Sequence, residues 1–283
     1  TSSITHHTFN ILPMPRHQIT SRQNERVKEA AKLHDARQRA KQGRFVIDGV
    51  REIGRALDAK IQLDEVFVCP VLCTSPAARS LAERLENSAA LIAEVTPEVF
   101  AKLAFGSRTE GIVAVARIPQ RNLDALVLPE NPLIAVIEGV EKPGNVGALL
   151  RSADGAGVDA VILADPETDL FNPNTIRASV GTVFSLRIAI ATATDTLARL
   201  RQWGLALIAT RPDAEKDYTQ IDYRQPTAIL LGSESQGLTA TWNQPDVIGV
   251  QLPMRGIADS LNVSTTAAVL FYEALRQRGG AGK

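Results

Sequence analysis

The stretch LIAVIEGVEKPGNVGALLRSADGAG, residues 133–157, decides the fold of this chain. Its first part, LIAVIEGV (133–140), is a continuous apolar strand of the kind that is buried on both faces of a parallel sheet. Pro143, Gly144 and Gly147 then predict a tight turn from this strand into a helix. That helix is predicted to start at the first of four apolar residues spaced i, i+3, i+4 and i+7, which are Val146, Leu149, Leu150 and Ala153.

The rest of the C-terminal half repeats this alternation of strands and helices. Further strands are predicted at AVILA (160–164), LRIAI (186–190), LALIAT (205–210), TAILLG (227–232) and VIGVQLP (247–253). A final helix is predicted from about Asn262 to Arg278, where two glycines stop it. Such alternation predicts an α/β fold with a parallel sheet.

The N-terminal half predicts a smaller α/β unit. Apolar residues have helical spacing in the charged region 19–44, and strands are predicted at 45–47, 63–69, 91–96 and 111–118. A chain of 283 residues has room for two domains. We therefore divide it into a flexible lead-in (1–17), a substrate-binding unit (18–118), a linker (119–131) and a second unit (132–283).

The charge of the chain is balanced overall but not locally. With 31 Lys and Arg against 31 Asp and Glu, the net charge does not indicate a nucleic-acid partner. Between Arg16 and Arg55, however, basic residues outnumber acidic ones: Arg22, Arg26, Lys28, Lys32, Arg37, Arg39, Lys41, Arg44 and Arg51. A local basic segment can bind RNA phosphates, and the alternative is a solvated helix face.

Cysteine content and hydropathy favour a cytoplasmic protein without a metal. Cys69 and Cys73 make no disulfide framework and are expected to be structural thiols in a reducing cytoplasm. A zinc site needs about four ligands, and no histidine or second cysteine pair lies near them. No run is long and apolar enough to span a membrane. The first residues lack the apolar core of a signal peptide.

The loops at the carboxyl ends of the predicted strands carry the functional information, because ligands of open α/β sheets bind there. The first loop leads to Arg151, which lies off the apolar stripe of its helix. The alternative to a functional arginine is a surface residue favoured by the helix dipole. The loop contains neither GxGxxG nor GxxxxGK[ST], so a dinucleotide fingerprint and a P-loop are both absent.

Two more loops place polar residues at the same edge. AILLGSESQGL (228–238) follows a buried strand with Gly232, Glu234 and Gly237. Glycines let backbone N–H groups approach a ligand, and the glutamate is either a capping residue or a polar anchor. SLNVSTTAAVL (260–270) puts Ser260 and Asn262 before the final helix. Both residue types cap helices, and one of the two is predicted to be the N-cap.

Histidine and cysteine are absent from the second unit. No histidine occurs after His34 and no cysteine after Cys73. This excludes Ser-His-Asp chemistry, a cysteine nucleophile and a histidine-rich metal site there. The available Arg, Glu, Ser and Asn side chains suit a reaction that depends on positioning two reactants.

Together the three loops resemble the SpoU (TrmH) family of RNA 2′-O-ribose methyltransferases, in the SPOUT superfamily. The pattern is N-x-G-x(3)-R, then G-x-E-x-x-G-L, then L-P-M ahead of S-L-N-V-S, in order over residues 131–278. The preceding unit, 18–118, is similar to the ribosomal-protein-like RNA-binding domain that often precedes the catalytic domain. That similarity rests on ITSRQNERVKEAAKL, GRFVIDGVREI and GIVAVA.

The resemblance implies a C-terminal trefoil knot in the parallel sheet, S-adenosylmethionine bound in the knot, and a homodimer that packs at the active site. Its substrate is RNA, and the two-domain layout favours ribosomal over transfer RNA. Matched motif by motif, the catalytic residues are Asn145, Arg151, Glu234, Ser260 and Asn262. The residues that line the methyl donor are Thr210, Gly232, Leu252 and Leu261. Family members often have glycine where this chain has Ser235, which we interpret as tolerated variation.

The reaction implied by the resemblance is in-line attack of a ribose 2′-oxygen on the donor methyl. The family proposal gives the hydroxyl proton to the motif arginine, here Arg151. A guanidinium is rarely deprotonated in proteins. The alternative is that Arg151 grips the adjacent phosphate while the proton passes to that phosphate or to water. Two rival classes are a Rossmann-type nucleotide enzyme and a non-catalytic RNA-binding member of the family.

Overall fold

The strands of this chain form two separate sheets, in a computed structural model that describes residues 17–106 and 108–279. The predicted lead-in, 1–17, lies outside the described residues except for its last position. The first sheet has five strands and precedes the predicted linker, and the second has six strands and follows it.

The first sheet is assembled from short strands with helices between them. Its strands are β1 (His17–Ile19), β2 (Arg44–Asp48), β3 (Leu63–Val68), β4 (Leu91–Val95) and β5 (Ile112–Arg117). Its helices are α1 (Glu25–Lys32), α2 (Ala36–Gln42), α3 (Val50–Asp58), α4 (Pro76–Glu86) and α5 (Pro97–Leu103). The order is β1-β4-β3-β5-β2, and β5 runs antiparallel to both neighbours while the other pairs are parallel.

The region 19–44, whose apolar residues have helical spacing, forms two helices, α1 and α2. Asp35 caps α2, where its side chain accepts a hydrogen bond of 3.1 Å from the backbone amide of Gln38. Aspartate competes for such backbone donors, so it favours a helix start over a helix interior. Gly43 then ends α2 in the left-handed conformation, with φ 62°.

The second sheet confirms the predicted parallel α/β architecture. Its strands are β6 (Leu133–Glu138), β7 (Ala160–Ala164), β8 (Ile188–Ala191), β9 (Ala206–Thr210), β10 (Thr227–Leu231) and β11 (Val247–Val250). Its helices are α6 (Pro143–Ala156), α7 (Pro173–Ala178), α8 (Thr182–Ser185), α9 (Ala193–Gln202) and α10 (Val263–Gln277). The order is β11-β9-β10-β6-β7-β8, and all neighbouring pairs are parallel.

Strand β6 shows why these strands are continuous apolar runs. Leu133, Ala135 and Ile137 pack into one apolar cluster, and Ile134 and Val136 pack into another. Successive side chains of a strand point to opposite faces, so a sheet covered on both faces needs apolar residues at every position.

Helix α6 begins at Pro143, three residues before the predicted start at Val146. Proline suits the first helical turn because a backbone N–H at that position would have no partner within the helix, and because the φ of proline is already helical. Gly147 lies inside the helix rather than in a turn. A methyl group on it would lie 2.5 Å from Cβ of Ala178 and 2.6 Å from the carbonyl oxygen of Thr175, so this glycine lets α7 pack closely.

The two units are joined by packing as well as by the chain. The ring of Phe45, in β2, stacks on Phe171 of the second unit with centroids 4.4 Å apart. Arg39 is 1% exposed and forms an ion pair with Asp169 across the same boundary. The first unit therefore has a fixed place beside the second sheet.

Candidate active site

The segments that follow β9, β10 and β11 line a cavity of about 350 Å³ at the carboxyl edge of the second sheet. The loop after β6 joins them through hydrogen bonds to the loop after β10. The cavity is lined by residues 210–212, 231–237, 250–252, 254, 259–261, 263 and 266. Its position is the one that the strand polarity of an open α/β sheet predicts for a ligand.

The carboxylate of Glu234 joins the three motif loops. Its Oε1 accepts a hydrogen bond of 2.8 Å from Nδ2 of Asn145, in the first loop, and another from Nδ2 of Asn262, in the third. Nδ2 of Asn262 also lies 3.3 Å from Oδ1 of Asn145, so the two amides and the carboxylate form a closed ring. Nζ of Lys142 forms an ion pair of 3.1 Å with Oε2.

Asn262 has a second contact, with the final helix. It is the N-cap of α10, and its Oδ1 accepts hydrogen bonds of 3.0 Å from the amide of Ser264 and 2.6 Å from its hydroxyl. Ser260 does not cap the helix and lines the cavity instead. The prediction that one of the two residues is a cap is therefore confirmed. The same side chain caps the helix with its oxygen and holds Glu234 with its nitrogen.

Gly232 is required by a close approach of backbone. A methyl group there would lie 2.1 Å from the carbonyl carbon of Gly237 and 2.3 Å from the amide nitrogen of Leu238. Gly237 itself has φ 67°, and its amide donates a hydrogen bond of 2.9 Å to the carbonyl of Ser233. The cavity wall here consists of backbone, which suits a loop that contacts a ligand through main-chain groups.

Ser235 is the departure from the motif pattern that the sequence resemblance implies. Its hydroxyl donates a hydrogen bond of 3.2 Å to Oε1 of Glu141, in the first loop. The side chain borders the cavity, but its polar group is engaged with the neighbouring loop. Serine therefore adds a contact between loops that a glycine cannot make.

The predicted site residues fall into three groups. Six of them line the cavity, namely Thr210, Gly232, Glu234, Leu252, Ser260 and Leu261. Asn145 and Asn262 border it through Glu234. Arg151 stands apart on α6, where its side chain is exposed and has no hydrogen bond or ion pair with any residue in the described ranges.

Sequence reasoning missed two polar residues of this site. Lys142, which directly precedes Pro143, pairs with Glu234. Arg211, directly after β9, lines the cavity and donates hydrogen bonds of 3.1 Å to the carbonyl of Trp242 and 2.6 Å to Oδ1 of Asn243. Its place at a strand end was the available signal, because that is where ligand-binding side chains collect.

The basic segment is only partly available for RNA. Arg39 is buried at the boundary between the units, so the prediction that it contacts RNA phosphates is wrong. Arg26 and Lys32 form ion pairs within the first unit. Arg37 and Lys41 are exposed on α2. Acidic residues therefore neutralise part of the segment, with Glu29 in the same helix and Glu65 and Asp169 elsewhere in the chain.

One carboxylate outside the cavity has a strongly shifted pKa. Asp48 lies at the boundary of the units, beside a small cavity lined by residues of both. Burial raises the pKa of Asp48 from 3.8 to about 6, because desolvation outweighs the hydrogen bond from the amide of Phe105 and the charge of Arg108. The amide of Phe105 lies 2.6 Å from Oδ2.

The described residues contain no group of three or more His, Cys, Asp or Glu side chains arranged to hold a metal. Both cysteines are buried and free. Within the same residues, none of the helices has the length and apolar character needed to cross a membrane.

Comparison with known families gives one match for each unit. Residues 132–272 match the SpoU rRNA Methylase family. Residues 24–114 match the MRM3-like substrate binding domain. The two matches lie on either side of the predicted linker.

Individual proteins are similar over nearly the whole chain. The 23S rRNA (uridine(2479)-2′-O)-methyltransferase of Streptomyces viridochromogenes is 30% identical over 92% of this chain and 92% of that protein. A crystal structure of an RNA 2′-O ribose methyltransferase is 44% identical, with a TM-score of 0.80, over 92% of this chain and 99% of that one. The AdoMet-bound rRNA methyltransferase of Sinorhizobium meliloti is 27% identical, with a TM-score of 0.83, over 92% of this chain and 97% of that one.

Proposed function

The chain belongs to the SpoU rRNA methylase family, and we propose that it transfers a methyl group from S-adenosylmethionine to a ribose 2′-hydroxyl of ribosomal RNA. The observation that carries this proposal is the ring formed by Asn145, Glu234 and Asn262 at the edge of the cavity. The ring brings together the three motifs that are separated in the sequence. Relatives support the substrate and the donor, since one is a 23S rRNA 2′-O-methyltransferase and another was solved with AdoMet bound.

The cavity fits the methyl donor in size and in lining. About 350 Å³ lies within the range of roughly 300–1,000 Å³ that is usual for small-molecule sites. Gly232 presents backbone groups, and Leu252 and Leu261 present apolar side chains. Thr210 donates its hydroxyl to the carbonyl of Leu230, so it meets the donor with its methyl and backbone groups. When bound, S-adenosylmethionine supplies a methyl group on a sulfonium centre.

Glu234 and the two amides hold the reacting groups in place rather than exchanging protons with them. The carboxylate already accepts hydrogen bonds from Asn145 and Asn262 and pairs with Lys142. Asn145 retains one amide hydrogen and one oxygen lone pair, which are free to orient the ribose. Ser260 offers a hydroxyl inside the cavity. Alignment of two reactants supplies much of the rate in such a transfer.

Arg151 binds the phosphate next to the target ribose. Its guanidinium is exposed and unpaired in the described part of the chain, so no carboxylate competes for it. A guanidinium stays protonated, and its planar fork suits two hydrogen bonds to phosphate oxygens. The proton of the 2′-hydroxyl then passes to that phosphate or to water.

The separation of Arg151 from the cavity supports a homodimer. A second copy that packs at the active site would surround the target nucleotide with residues of both chains.

Helix α10 packs on α6, which carries Arg151, and the segment before α10 runs past the ends of β9 and β10. That path is the basis on which we infer a C-terminal trefoil knot, an arrangement that is rare among folds.

The first unit, 18–118, is the substrate-binding domain in this proposal. Its match to the MRM3-like substrate binding domain supports RNA binding, as do the exposed Arg37 and Lys41. We infer a ribosomal-protein-like domain that contacts RNA phosphates, in a protein that works in the cytoplasm. The salt dependence of RNA binding should weaken when these two charges are removed, since each phosphate contact contributes to that slope.

The decisive experiment follows methyl transfer from tritiated S-adenosylmethionine to ribosomal and transfer RNA. The wild-type chain is expected to label ribosomal RNA at a ribose 2′-oxygen. Arg151→Ala is expected to abolish turnover and to keep donor binding by calorimetry. Label in transfer RNA alone would move the substrate to that class, and donor binding without transfer would indicate a non-catalytic RNA-binding protein. Near wild-type turnover by Arg151→Ala would refute the role given to Arg151.

A further inference from the structure

Glu138, the last residue of β6, is a buried carboxylate beside the candidate active site. It is 2% exposed, and no ion pair joins it to a cation in the described ranges. Both of its oxygens contact the same residue, Thr239. Oε2 accepts a hydrogen bond of 2.7 Å from the backbone amide, and Oε1 accepts one of 2.8 Å from the side-chain hydroxyl. Burying a carboxylate without a cation is costly unless hydrogen bonds replace its water.

Thr239 is the point at which the second motif loop returns to the sheet. The loop leaves the sheet after Leu231, which pairs with Ile137 of β6. It comes back at Thr239, which is held by the next residue of the same strand, Glu138. Both ends of the loop are therefore attached to consecutive positions of β6. Between them, Gly237 donates a hydrogen bond to the carbonyl of Ser233 and closes the loop.

We infer that Glu138 is a positioning residue for methyl transfer, which acts through Thr239 to fix the loop that carries Gly232 and Glu234. This inference rests on the proposed function. If the return end of the loop moves, Gly232 leaves the cavity wall and Glu234 leaves the amides of Asn145 and Asn262. Small displacements of this kind lower the rate strongly, because catalysis here depends on alignment.

Substitutions at position 138 separate this role from direct use of a negative charge. In Glu138→Gln the amide oxygen can still accept from the backbone N–H of Thr239, and the amide nitrogen can donate to its hydroxyl oxygen. This variant therefore keeps both hydrogen bonds to Thr239 and loses the negative charge. In Glu138→Leu both hydrogen bonds are lost. Thr239→Val removes only the hydroxyl, and Thr239→Ser keeps it.

Asp159 provides a matched control for general loss of stability. Its Oδ2 accepts a hydrogen bond of 2.8 Å from the amide of Leu133, at the opposite end of β6. Asp159→Ala therefore removes a carboxylate–backbone contact from the same strand, far from the cavity. It should lower the melting temperature and leave turnover unchanged.

The test measures kcat for RNA methylation, donor affinity by calorimetry with S-adenosylmethionine, and melting temperature for the full chain and each variant. Glu138→Gln and Thr239→Ser should stay within roughly threefold of wild-type kcat, since their hydrogen bonds persist. Glu138→Leu should lose about 10- to 100-fold in kcat and bind the donor more weakly, with Thr239→Val between the two.

Two results would overturn the inference. The first is wild-type kcat and donor affinity in Thr239→Val and Glu138→Leu. The second is a loss in Glu138→Gln as large as in Glu138→Leu, which would indicate a direct role of the charge. Should Glu138→Leu fail to fold, the kcat of Thr239→Val is compared with that of Thr239→Ser, and equal values would overturn the inference. Absence of transfer by the wild-type chain contradicts the proposed function instead.

Discussion

Substitutions of Asn262 can separate helix capping from the ring around Glu234, because one side chain does both. Asn262→Asp keeps the oxygen that caps α10 through Ser264 but replaces the donor nitrogen by a second carboxylate oxygen. Asn262→Ser also keeps an N-cap, with no donor placed to reach Glu234 and no charge. Asn262→Ala loses both contacts.

The expected magnitudes follow from the distances. Loss of an N-cap costs about 1 kcal/mol of stability, which applies to Asn262→Ala alone. In Asn262→Asp the new carboxylate lies within hydrogen-bond distance of Glu234. Two like charges about 3 Å apart repel by roughly 1.4 kcal/mol at a dielectric constant near 80 and about 5.5 kcal/mol near 20. Turnover of this variant at pH 8 should therefore fall at least about tenfold, since about 1.4 kcal/mol is a factor of ten.

The pH dependence distinguishes the two capped variants. Two adjacent carboxylates share a proton, so the pKa of one of them rises in Asn262→Asp. Lowering the pH should then restore part of its activity relative to wild type, whereas the loss in Asn262→Ser should not depend on pH. The assay is methyl transfer between pH 5.5 and 8.5, with melting curves over the same range. Equal pH profiles for the two variants, or full activity of Asn262→Asp at pH 8, would refute the reasoning.

Three further predictions concern backbone space and titration. Gly232→Ala should weaken donor binding severely, because its methyl group would lie 2.1 Å from the backbone of Gly237, and calorimetry measures this directly. Gly147→Ala should lower the melting temperature by overpacking α6 against α7, at about 1–3 kcal/mol, whereas Gly144→Ala in the same helix meets open space and should not. Asp48→Asn should gain stability relative to wild type as the pH rises from 4 to 7, by at most about 3 kcal/mol. The raised pKa of Asp48 means that the folded wild type keeps a proton which the unfolded chain releases, so wild-type stability falls as the pH rises through 6. Urea denaturation measures this, and a stability difference between Asp48→Asn and wild type that is the same at pH 4 and pH 7 would contradict the prediction.

The sequence by itself determined the parallel α/β architecture of the second unit. Continuous apolar runs mark strands covered on both faces, and the 3.6-residue spacing marks the helices between them. These signals are local, so each can be recognised in a short window. The same windows placed the three motif loops at strand ends, and the absence of histidine after His34 excluded several chemistries. Element boundaries were not determined in this way, since α6 starts at Pro143 and not at the predicted Val146.

Only the tertiary structure decided which of these residues meet. Asn145 lies 89 positions from Glu234 and 117 from Asn262, and no local pattern fixes a contact over such separations. The contact arises because parallel strands bring their carboxyl ends to one edge of the sheet. The same packing buried Arg39 at the boundary of the units and left Arg151 apart from the cavity. The sequence determined which side chains were available, and the sheet order decided which of them share a site.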